Sequence, residues 1–426
     1  MSLDSEYRKV DTRSVTHFRT YEPIVIGPSN NKFTPSQELN IRQTSIAGDV
    51  FYNWNDSYLE LKLKTKFYKT DSSNKTIVDD TDKSINILGQ PACLVDRITG
   101  DAKFINPDGT ESAIDLTNNS LNIGMYRSLI NLVYQPRSFH TKNAYLTEYP
   151  YQGIAGNKDV AELDSNKSFI TKPFSNTLEF KYNGEYHVAT LRLPWSSLLD
   201  LGMQTYLCNM KSINLKISWI PEEKFFNKSD KNMDTIEIVS ARTITDYYRV
   251  SNHDNLQIPD DIITIPEINP IGNYETIKSG EKRWHHSYRI PYAPAACFIF
   301  FTNNTNAYYN MKAINVEYLR VYTGSGWSNT LPQYENDVSC IDSRYYDTLA
   351  SIMNNDEEHI INFNNFNTSY RIYAIDFLSD AELLQSQNEI FFELRFKNGV
   401  INEDINVHVV FIENPPVPVS GRIAIE

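Results

Sequence analysis

The sequence predicts an all-β protein in which two antiparallel β-sandwiches follow one another along the chain. Several segments alternate apolar and polar residues with a period of two, which is typical of strands that bury one face. Aromatic residues make up 12% of the chain, and their side chains favour pleated strands over helices. At 426 residues the chain is long for a single core, so two domains or one duplicated fold are expected.

The first 40 residues are expected to form an irregular arm, because Pro and Gly recur there without a clear period. Residues 41–250 are predicted to form the first sandwich. Its clearest strand is Leu59–Phe67, where apolar residues alternate with Glu and Lys. The Asn183-Gly184 pair predicts a hairpin further along. Polar stretches at 70–85 and 152–168 are expected to be long loops.

A linker is predicted over residues 251–275, where prolines interrupt a stretch without strand periodicity. The second sandwich is predicted over residues 276–426. Its last strands are the most regular in the chain, and each is expected to be half-buried. Their inward residues are expected to be Ile390, Phe392, Leu394 and Phe396, followed by Ile405, Val407, Val409 and Phe411. Helices are expected only as short turns near 198–201, 347–353 and 379–384.

Charge and cysteine usage exclude several classes of protein. The net charge is −13, so a broad basic surface for nucleic acid is not expected. Arg8, Lys9, Arg13 and Arg19 are mixed with acids and indicate a solvated arm, with a DNA-binding arm as the alternative. Four cysteines lie far apart (Cys93, Cys208, Cys297, Cys340), which argues against metal or redox motifs and favours buried, reduced thiols. Neither a signal peptide nor a membrane span is indicated, so cytosolic synthesis is expected.

No residue is predicted to be catalytic, cofactor-binding or metal-binding. His285 and His286 are adjacent, and adjacent residues of a strand point to opposite faces. Gly324-Ser325-Gly326 and Asn106–Gly109 are expected to be turns, since they lack the rest of a phosphate or calcium motif. Asp356–His359 is expected to be a charged turn. A carboxylate pair for glycoside hydrolysis is not marked by sequence spacing, and Trp195, Trp284 and Trp327 are expected in the core rather than stacked on sugars.

The C-terminal part of the chain resembles a known family. Phe363–Phe377, with its Tyr370-Arg371-Ile372-Tyr373-Ala374-Ile375-Asp376 core, is similar to a segment near the end of double jelly-roll major capsid proteins of Polinton/Maverick-type elements, virophages and related eukaryotic double-stranded DNA viruses. The segments that follow it in this closing block keep the order of that family: Glu389–Phe396, Asn406–Phe411 and Arg422–Ile425. Similarity outside the closing block covers Asp56–Leu63, Pro291–Phe301 and Asn310–Tyr322. The similar segments cover about a third of the chain. Ile375 departs from the Phe that is more usual there, and the chain is shorter than many relatives.

The resemblance implies two jelly rolls per subunit and a homotrimeric, near-hexagonal capsomer in an icosahedral shell. It implies contacts with neighbouring capsomers and with penton and minor capsid proteins, no enzymatic activity, no cofactor, no specific nucleic-acid binding and a location in the virion after synthesis in the host cytoplasm. Two alternatives remain open at this point. One is a β-sandwich protein that binds or processes carbohydrate, and the other is a penton or minor capsid protein.

Overall fold

The structure is a computed structural model in which a large part of the chain is described. The described residues are 8–10, 15–27, 31–44, 50–88, 91–105, 110–118, 120–134, 175–195, 210–227, 232–250, 271–290, 294–303, 311–312, 314–323, 341–353, 359, 361–368, 371–377, 389–397, 401–412 and 423–425. The predicted loop at 152–168 and the predicted short helices at 198–201 and 379–384 lie outside these ranges. So do residues 251–270 of the predicted linker, whose last residues belong to a strand that begins at Ile271.

Strands dominate the described part of the chain. In chain order they are β1 (Arg8–Val10), β2 (Val15–Ile24), β3 (Glu38–Thr44), β4 (Val50–Thr65), β5 (Tyr68–Thr70), β6 (Thr76–Val78), β7 (Lys83–Leu88), β8 (Val95–Ile105), β9 (Glu111–Asp115), β10 (Ser175–Tyr182), β11 (His187–Pro194), β12 (Met210–Trp219), β13 (Phe226–Asn227), β14 (Glu237–Val250), β15 (Ile271–Ile277), β16 (Arg283–Arg289), β17 (Ala296–Asn303), β18 (Met311–Lys312), β19 (Val316–Tyr322), β20 (Tyr373–Asp376), β21 (Glu389–Phe396), β22 (Ile405–Ile412) and β23 (Ile423–Ile425). The helices are α1 (Ile123–Tyr134), α2 (Glu222–Phe225), α3 (Ile341–Ile352) and α4 (Phe363–Thr368), with a 3-10 turn at Pro91–Leu94.

The strands form two pairs of sheets, one pair in each half of the chain. The first half has a seven-stranded sheet in the order β13-β7-β10-β11-β4-β14-β2 and a four-stranded sheet in the order β3-β12-β8-β9. In the second half, one sheet has the order β15-β22-β17, with β18 and β20 both paired to β17, and the other has the order β16-β21-β19. Strands in these four sheets pair antiparallel, whereas β1 and β23 form a separate parallel pair.

The same wrapping of the chain occurs in both halves. Consecutive strands β3 and β4 pair, in opposite sheets, with β12 and β11, and β15 and β16 pair in the same way with β22 and β21. In each half the later strand also pairs with an intermediate one, β12 with β8 and β22 with β17. A ribbon of two strands that folds back onto a second ribbon across two sheets is a jelly roll. The chain therefore contains two jelly rolls, as the sequence resemblance implies.

Alternation in the sequence determines which side chains enter the two cores. Leu59, Leu61 and Leu63 of β4 are buried, as predicted. The hairpin at Asn183-Gly184 is also confirmed, since Lys181 and Tyr182 pair with Val188 and His187.

Within each jelly roll, side chains connect the facing sheets. The Gln43 amide of β3 donates to the hydroxyls of Thr245 and Tyr247 on β14, at 2.7 and 3.0 Å.

The second jelly roll has a more aromatic core. The ring of Phe411 on β22 lies 5.9 Å, centroid to centroid, from both Tyr288 on β16 and Phe392 on β21. Phe301 on β17 lies 6.2 Å from Phe396 on β21. Buried apolar residues of both halves belong to one contiguous cluster. The two jelly rolls therefore share a continuous core, and separating them exposes apolar surface.

Two sequence predictions of strand and loop positions are wrong. Val15–Ile24, expected in the irregular arm, is the strand β2 and pairs with β14. The stretch expected to be a long polar loop at 70–85 contains part of the hairpin formed by β5 and β6, and the first residues of β7. The partner of β2 lies more than 200 residues away in sequence. Pairing of this kind depends on tertiary contacts and leaves little periodicity in the local sequence.

Helix prediction succeeded only in part. Asp347–Met353 was expected to be helical, and α3 covers most of it. Helix α1 was not predicted, although its polar residues Arg127, Ser128 and Asn131 recur at the spacing of one helix face. In the structure its residues from Ile123 to Val133 are all buried. Helix α4 was not predicted either, and its FNNFNT sequence has no strong helical period.

We predict that Gly100→Ala lowers the free energy of unfolding by at least about 2 kcal/mol. Gly100 has φ +150°, and a Cβ there would lie 2.0 Å from the carbonyl oxygen of Asn214 on the neighbouring strand β12. Gly184→Ala is the matched control, because Gly184 also has a positive φ (+100°) but a Cβ added there would meet no atom within 4 Å. Gly184→Ala should lower the free energy of unfolding by only about 1 kcal/mol. Urea denaturation of both variants measures the difference, and equal losses would contradict the prediction.

Candidate functional site

The strongest candidate for a functional site in the described residues is the contact between the two jelly rolls, which we call the seam. It consists of α1, which follows the β8–β9 hairpin of the first jelly roll, and the outer face of the β15-β22-β17 sheet of the second. Polar side chains of the two jelly rolls meet here inside a largely apolar contact.

Helix α1 is fixed to the first jelly roll at its N-terminal end. The backbone N–H of Asn122 donates to Asp96 Oδ1 at 2.9 Å, which places a carboxylate where the helix dipole favours negative charge. Gly124 packs against the 3-10 turn so closely that a Cβ would lie 1.8 Å from the carbonyl oxygen of Ala92. The Ser128 hydroxyl, which accepts from Cys93 Sγ at 3.5 Å, continues this contact. A larger residue at position 124 would therefore push α1 away from the 3-10 turn.

The same helix packs on the second jelly roll. The ring of Tyr126 lies so close to β15 that a Cβ on Gly272 would be 1.9 Å from Tyr126 Cε2. The Gly272 N–H donates to Ser120 Oγ at 3.4 Å. Two turns of helix further on, the Tyr134 ring meets Phe298 of β17 edge-on, with centroids 6.0 Å apart. Glycine at position 272 is therefore what allows the helix to approach the sheet.

The seam buries the central strands of the second jelly roll on both faces. Every residue of β22 is buried, although the sequence predicted a half-buried strand. Val407, Val409 and Phe411 face the jelly-roll interior, and the residues between them face α1. The neighbouring strand β17 is buried along its described side chains in the same way. The prediction failed because the polar face of β22 is covered by a helix that is remote in sequence.

His408 is the polar centre of the seam. Its ring stacks on Phe300 with centroids 4.7 Å apart and planes 9° apart, and Nε2 lies 2.9 Å from the Thr302 hydroxyl. Nδ1 lies 3.5 Å from the Tyr126 hydroxyl, so the imidazole connects α1 to β17. Complete burial lowers the pKa of His408 to about 3, because the charged ring would lose its hydration. The imidazole is therefore neutral at physiological pH.

The family-like segment around Tyr373 has a structural role. The Tyr373 hydroxyl donates to the Ile314 carbonyl at 2.6 Å and accepts from the Val316 N–H at 3.3 Å, which fixes the start of β19. Arg371 is 2% exposed, and its Nε donates to the same hydroxyl at 3.1 Å. Asp376 at the end of β20 lies close enough to Tyr134 on α1 to raise the pKa of that phenol further, although burial is the larger cause. The segment thus holds together the sheet on which α1 rests.

The outer face of the seven-stranded sheet carries an ordered set of ion pairs. Glu60 on β4 is 8% exposed and lies between Arg192 of β11, at 3.1 Å, and Arg242 of β14, at 2.6 Å. On the same face Arg19 of β2 makes a bidentate contact with Asp246. Its Nε donates to Oδ1 at 2.5 Å and its Nη2 donates to Oδ2 at 3.0 Å. These pairs cross four neighbouring strands, so they fix the side chains of this sheet face before any partner binds.

The second jelly roll presents an aromatic outer face on its β16-β21-β19 sheet. Tyr322 and Phe391 stack with centroids 5.1 Å apart, and His285 Nε2 lies 2.9 Å from the Tyr322 hydroxyl. The Tyr318 hydroxyl donates to Glu393 at 2.7 Å. Together with the seven-stranded sheet, this gives the molecule two outer faces with ordered side chains. Both faces are suited to contact with another protein.

The residues that the sequence singled out are not gathered at one place. His285 faces outward on β16. The Nδ1 atom of His286 lies 2.7 Å from Glu275 Oε1, and its ring is nearly parallel to that of Trp284, with centroids 6.2 Å apart. The structure thus places the two imidazoles on opposite faces of the strand, as predicted. Trp195 and Trp284 are 1% and 7% exposed, which confirms the prediction that they lie in the core. Gly324–Gly326, Asn106–Gly109, Trp327 and most of Asp356–His359 lie outside the described residues.

Two of the four cysteines are described, and both are buried. Cys93 and Cys297 are free thiols, as predicted, and burial raises the pKa of the Cys297 thiol. Cys208 and Cys340 lie outside the described residues. Over the described ranges, no three His, Cys, Asp or Glu residues are grouped so that they could hold a metal ion. Over the same ranges, no helix is long and apolar enough to cross a membrane.

The seam was not predicted from the sequence. Phe298 and His408 belong to segments that were predicted only as strands, and α1 was not predicted at all. The available signal was the run from Ile123 to Tyr134, which contains no strand alternation and in which Arg127, Ser128 and Asn131 recur at helical spacing. Its one small residue near the start, Gly124, is also where close approach to a neighbour is needed.

We predict that Tyr373→Phe lowers the free energy of unfolding by about 1–3 kcal/mol, because it leaves the buried Arg371 Nε and Val316 N–H without their shared acceptor. Tyr322→Phe is the control, because it also removes a phenolic hydroxyl but at the partly exposed contact with His285. That change should cost less than about 0.5 kcal/mol. Guanidinium denaturation followed by tryptophan fluorescence measures both, and similar small losses for the two variants would contradict the role assigned to Tyr373.

Comparison with known proteins gives similarity only at the level of solved structures. No protein-family model and no curated protein matches the chain. The chain is similar to the mavirus major capsid protein, with 10% identity and a TM-score of 0.49 over 97% of this chain and 91% of that one. It is similar to the Faustovirus major capsid protein, with 8% identity and a TM-score of 0.44 over 97% and 92% of the two chains. It is also similar to a quasi-atomic model of the PBCV-1 virus capsid, with 9% identity and a TM-score of 0.40 over 98% of both chains.

Proposed function

We propose that this protein is a major capsid protein, a structural subunit of the icosahedral shell of a double-stranded DNA virus. The observation that carries the proposal is the presence of two jelly rolls of the same connectivity in one chain, joined through a seam with a continuous core. Supporting it, the segment from Arg371 to Phe377 resembles the matching segment of such capsid proteins, and its Tyr373 anchors β19. The chain would act by assembling rather than by catalysis.

Two jelly rolls per chain have a geometric consequence. A trimer would contain six jelly rolls, and six similar units around a threefold axis give a tile that is nearly hexagonal in outline. Contacts between different surfaces of neighbouring subunits close into a ring when the rotation between subunits is 120°. A near-hexagonal tile can then have six neighbours in an icosahedral lattice. The seam matters here because a tile of this shape requires the two jelly rolls of each subunit to keep a fixed relation.

The surfaces available for these contacts are the two outer sheet faces. The ion pairs of Glu60 with Arg192 and Arg242 and the stacked rings of Tyr322 and Phe391 are already ordered within one subunit. Preordered side chains lose little conformational entropy on association, which favours assembly. The proposed partners are two further copies of this chain, neighbouring capsomers, and penton and minor capsid proteins. The proposed location is the virion, after synthesis in the host cytoplasm and assembly in the host cell.

No observation favours the carbohydrate alternative. Of the three tryptophans considered for stacking on sugars, the two that the structure describes, Trp195 and Trp284, are buried in the core. A penton or minor capsid protein with one jelly roll would need about half of this chain, whereas both halves form jelly rolls here. We therefore propose no second function.

We predict that the purified full-length chain is a trimer. Native mass spectrometry should give an assembly of three times 49.1 kDa, and negative-stain images should show particles with a near-hexagonal outline. A glycan array and an oligosaccharide hydrolysis assay on the same preparation serve as the test of the alternative. A stable monomer that binds or cleaves oligosaccharide would overturn the proposed function, and a trimer that does neither would support it.

A further inference from the structure

We propose that the seam is an acid-sensitive joint, in which His408 makes the contact between the two jelly rolls weaken as the pH falls from neutral towards about 5. The proposal concerns the folded subunit and does not depend on the proposed shell function. It begins from the position of His408, which is fully buried at the contact between α1 and the β15-β22-β17 sheet.

The direction of the His408 side chain determines which motion exposes it. On β22, Val407 and Val409 face the jelly-roll interior, so His408 between them faces α1. Separation of α1 from the sheet would expose the imidazole to water. The interior of the second jelly roll can remain closed during that separation. Protonation of His408 is therefore coupled to opening of the seam before it is coupled to unfolding of either jelly roll.

The described groups that face the imidazole offer no negative charge. Helix α1 contributes the Tyr126 hydroxyl, β15 contributes the Tyr274 ring at 5.6 Å, and β17 contributes Phe300 and Thr302. Helix α2 contributes Lys224, which interacts electrostatically with Tyr274 and also with the carboxylates of Glu223 and Asp96. Burial is the cause of the lowered pKa of His408, without a contribution from these charges. A positive charge on the ring would thus have no carboxylate to balance it among the described groups that face it.

The carboxylates that the structure describes around the seam are directed away from the imidazole. Asp96 accepts the Asn122 N–H at the start of α1, and Asp376 lies beside Tyr134 at the far end of that helix. Glu275 on β15 faces the opposite side of its strand, where it binds Trp284 and His286. Burial is what lowers the pKa of His408, which agrees with this arrangement.

Hydrogen bonding favours neither protonation state. The hydroxyls of Thr302 and Tyr126 can each donate or accept, so they satisfy a neutral ring in either tautomer. They could also accept from a charged ring. What the closed seam cannot supply is the solvation of a charge, and loss of that solvation is the main cost of burying an ion. Acid therefore acts on the seam through desolvation.

The sign of the pH effect follows from the two protonation equilibria. In the closed seam the pKa of His408 is about 3, and in an open, hydrated seam it returns to about 6.5. Between these values the open state binds a proton that the closed state does not. The stabilisation of the closed seam is complete above pH about 6.5 and is lost progressively below it. At pH 5 the equilibrium constant for opening should be about 30-fold larger than at neutral pH.

Not every buried histidine in this chain belongs to the seam. His187 is also buried, but it lies in the first jelly roll, where its ring contacts Phe67 at 4.9 Å and its Nε2 lies 3.1 Å from the Thr81 carbonyl. It has no contact with α1 among the bonds and ring contacts of the described residues. Of these two buried histidines, His408 is thus the one that lies at the contact between the two jelly rolls.

Hydrogen exchange measured by mass spectrometry on the full chain tests the proposal. The readout is the opening equilibrium of peptides from α1 and β22 between pH 7.5 and pH 5.0, corrected for the intrinsic pH dependence of exchange. In the wild type, the equilibrium constant for opening should be about 30-fold larger at pH 5.0 than at pH 7.5. In His408→Gln, the same constant should change by less than about threefold. His285→Gln is the matched control, because His285 is exposed on the outer face of β16, and it should behave as the wild type does.

An equal response to acid in the wild type and in His408→Gln would overturn the proposal. If His408→Gln fails to fold, exchange at the imidazole C2 position of the wild type decides the question, since it reports both the exposure and the titration of each histidine. Slow exchange and a pKa far below 6.5 at His408 would support the proposal. Titration of His408 near about 6.5 in the intact subunit would overturn it. Neither result depends on whether the chain forms trimers.

Discussion

Burial of the second jelly roll's central strands on both faces is the constraint on which the rest of the structure depends. A jelly-roll sheet ordinarily leaves one face to solvent, and the alternating sequence of such strands reflects that. In this chain β22 and β17 have apolar or hydrogen-bonded side chains on both faces, and the outer face is covered by α1. The helix can reach that face only because Gly124 and Gly272 allow close contact at its two surfaces. The two jelly rolls thereby become one body with a continuous core.

Several polar groups enclosed in this core are paired in ways that define how the elements fit. Tyr373 joins β20 to the start of β19, and Gln43 joins the facing sheets of the first jelly roll. Glu222 at the start of α2 accepts the buried Ile236 N–H at 2.9 Å. A buried polar group without a partner costs more than a partnered one gains, so such contacts penalise alternative packings strongly. His408 is one of these buried polar groups. It differs from the others because the free energy needed to keep it buried depends on pH.

The outer faces differ from this core, because their charged and aromatic side chains are paired with one another within the single subunit. The Glu60 carboxylate with its two arginines and the Asp246 pair with Arg19 hold charged groups in fixed positions on the seven-stranded sheet. Isolated surface ion pairs contribute little to stability, but ordered charges set the register and orientation of a partner. In the proposed capsid function, a tight seam would maintain the shape of the tile while these faces would govern which neighbours it accepts.

The sequence alone determined the fold class and much of the strand pattern, because alternation with a period of two records the side of a strand that meets a core. It correctly placed β4, the hairpin at Asn183-Gly184 and the inward residues of β21. The resemblance around Tyr373 predicted two jelly rolls, which the strand pairing shows. Tertiary structure alone decided the pairing of β2 with β14, the helix α1, and the second buried face of β22. These depend on contacts between segments far apart in sequence, and a residue covered by a remote segment carries no local sign of it.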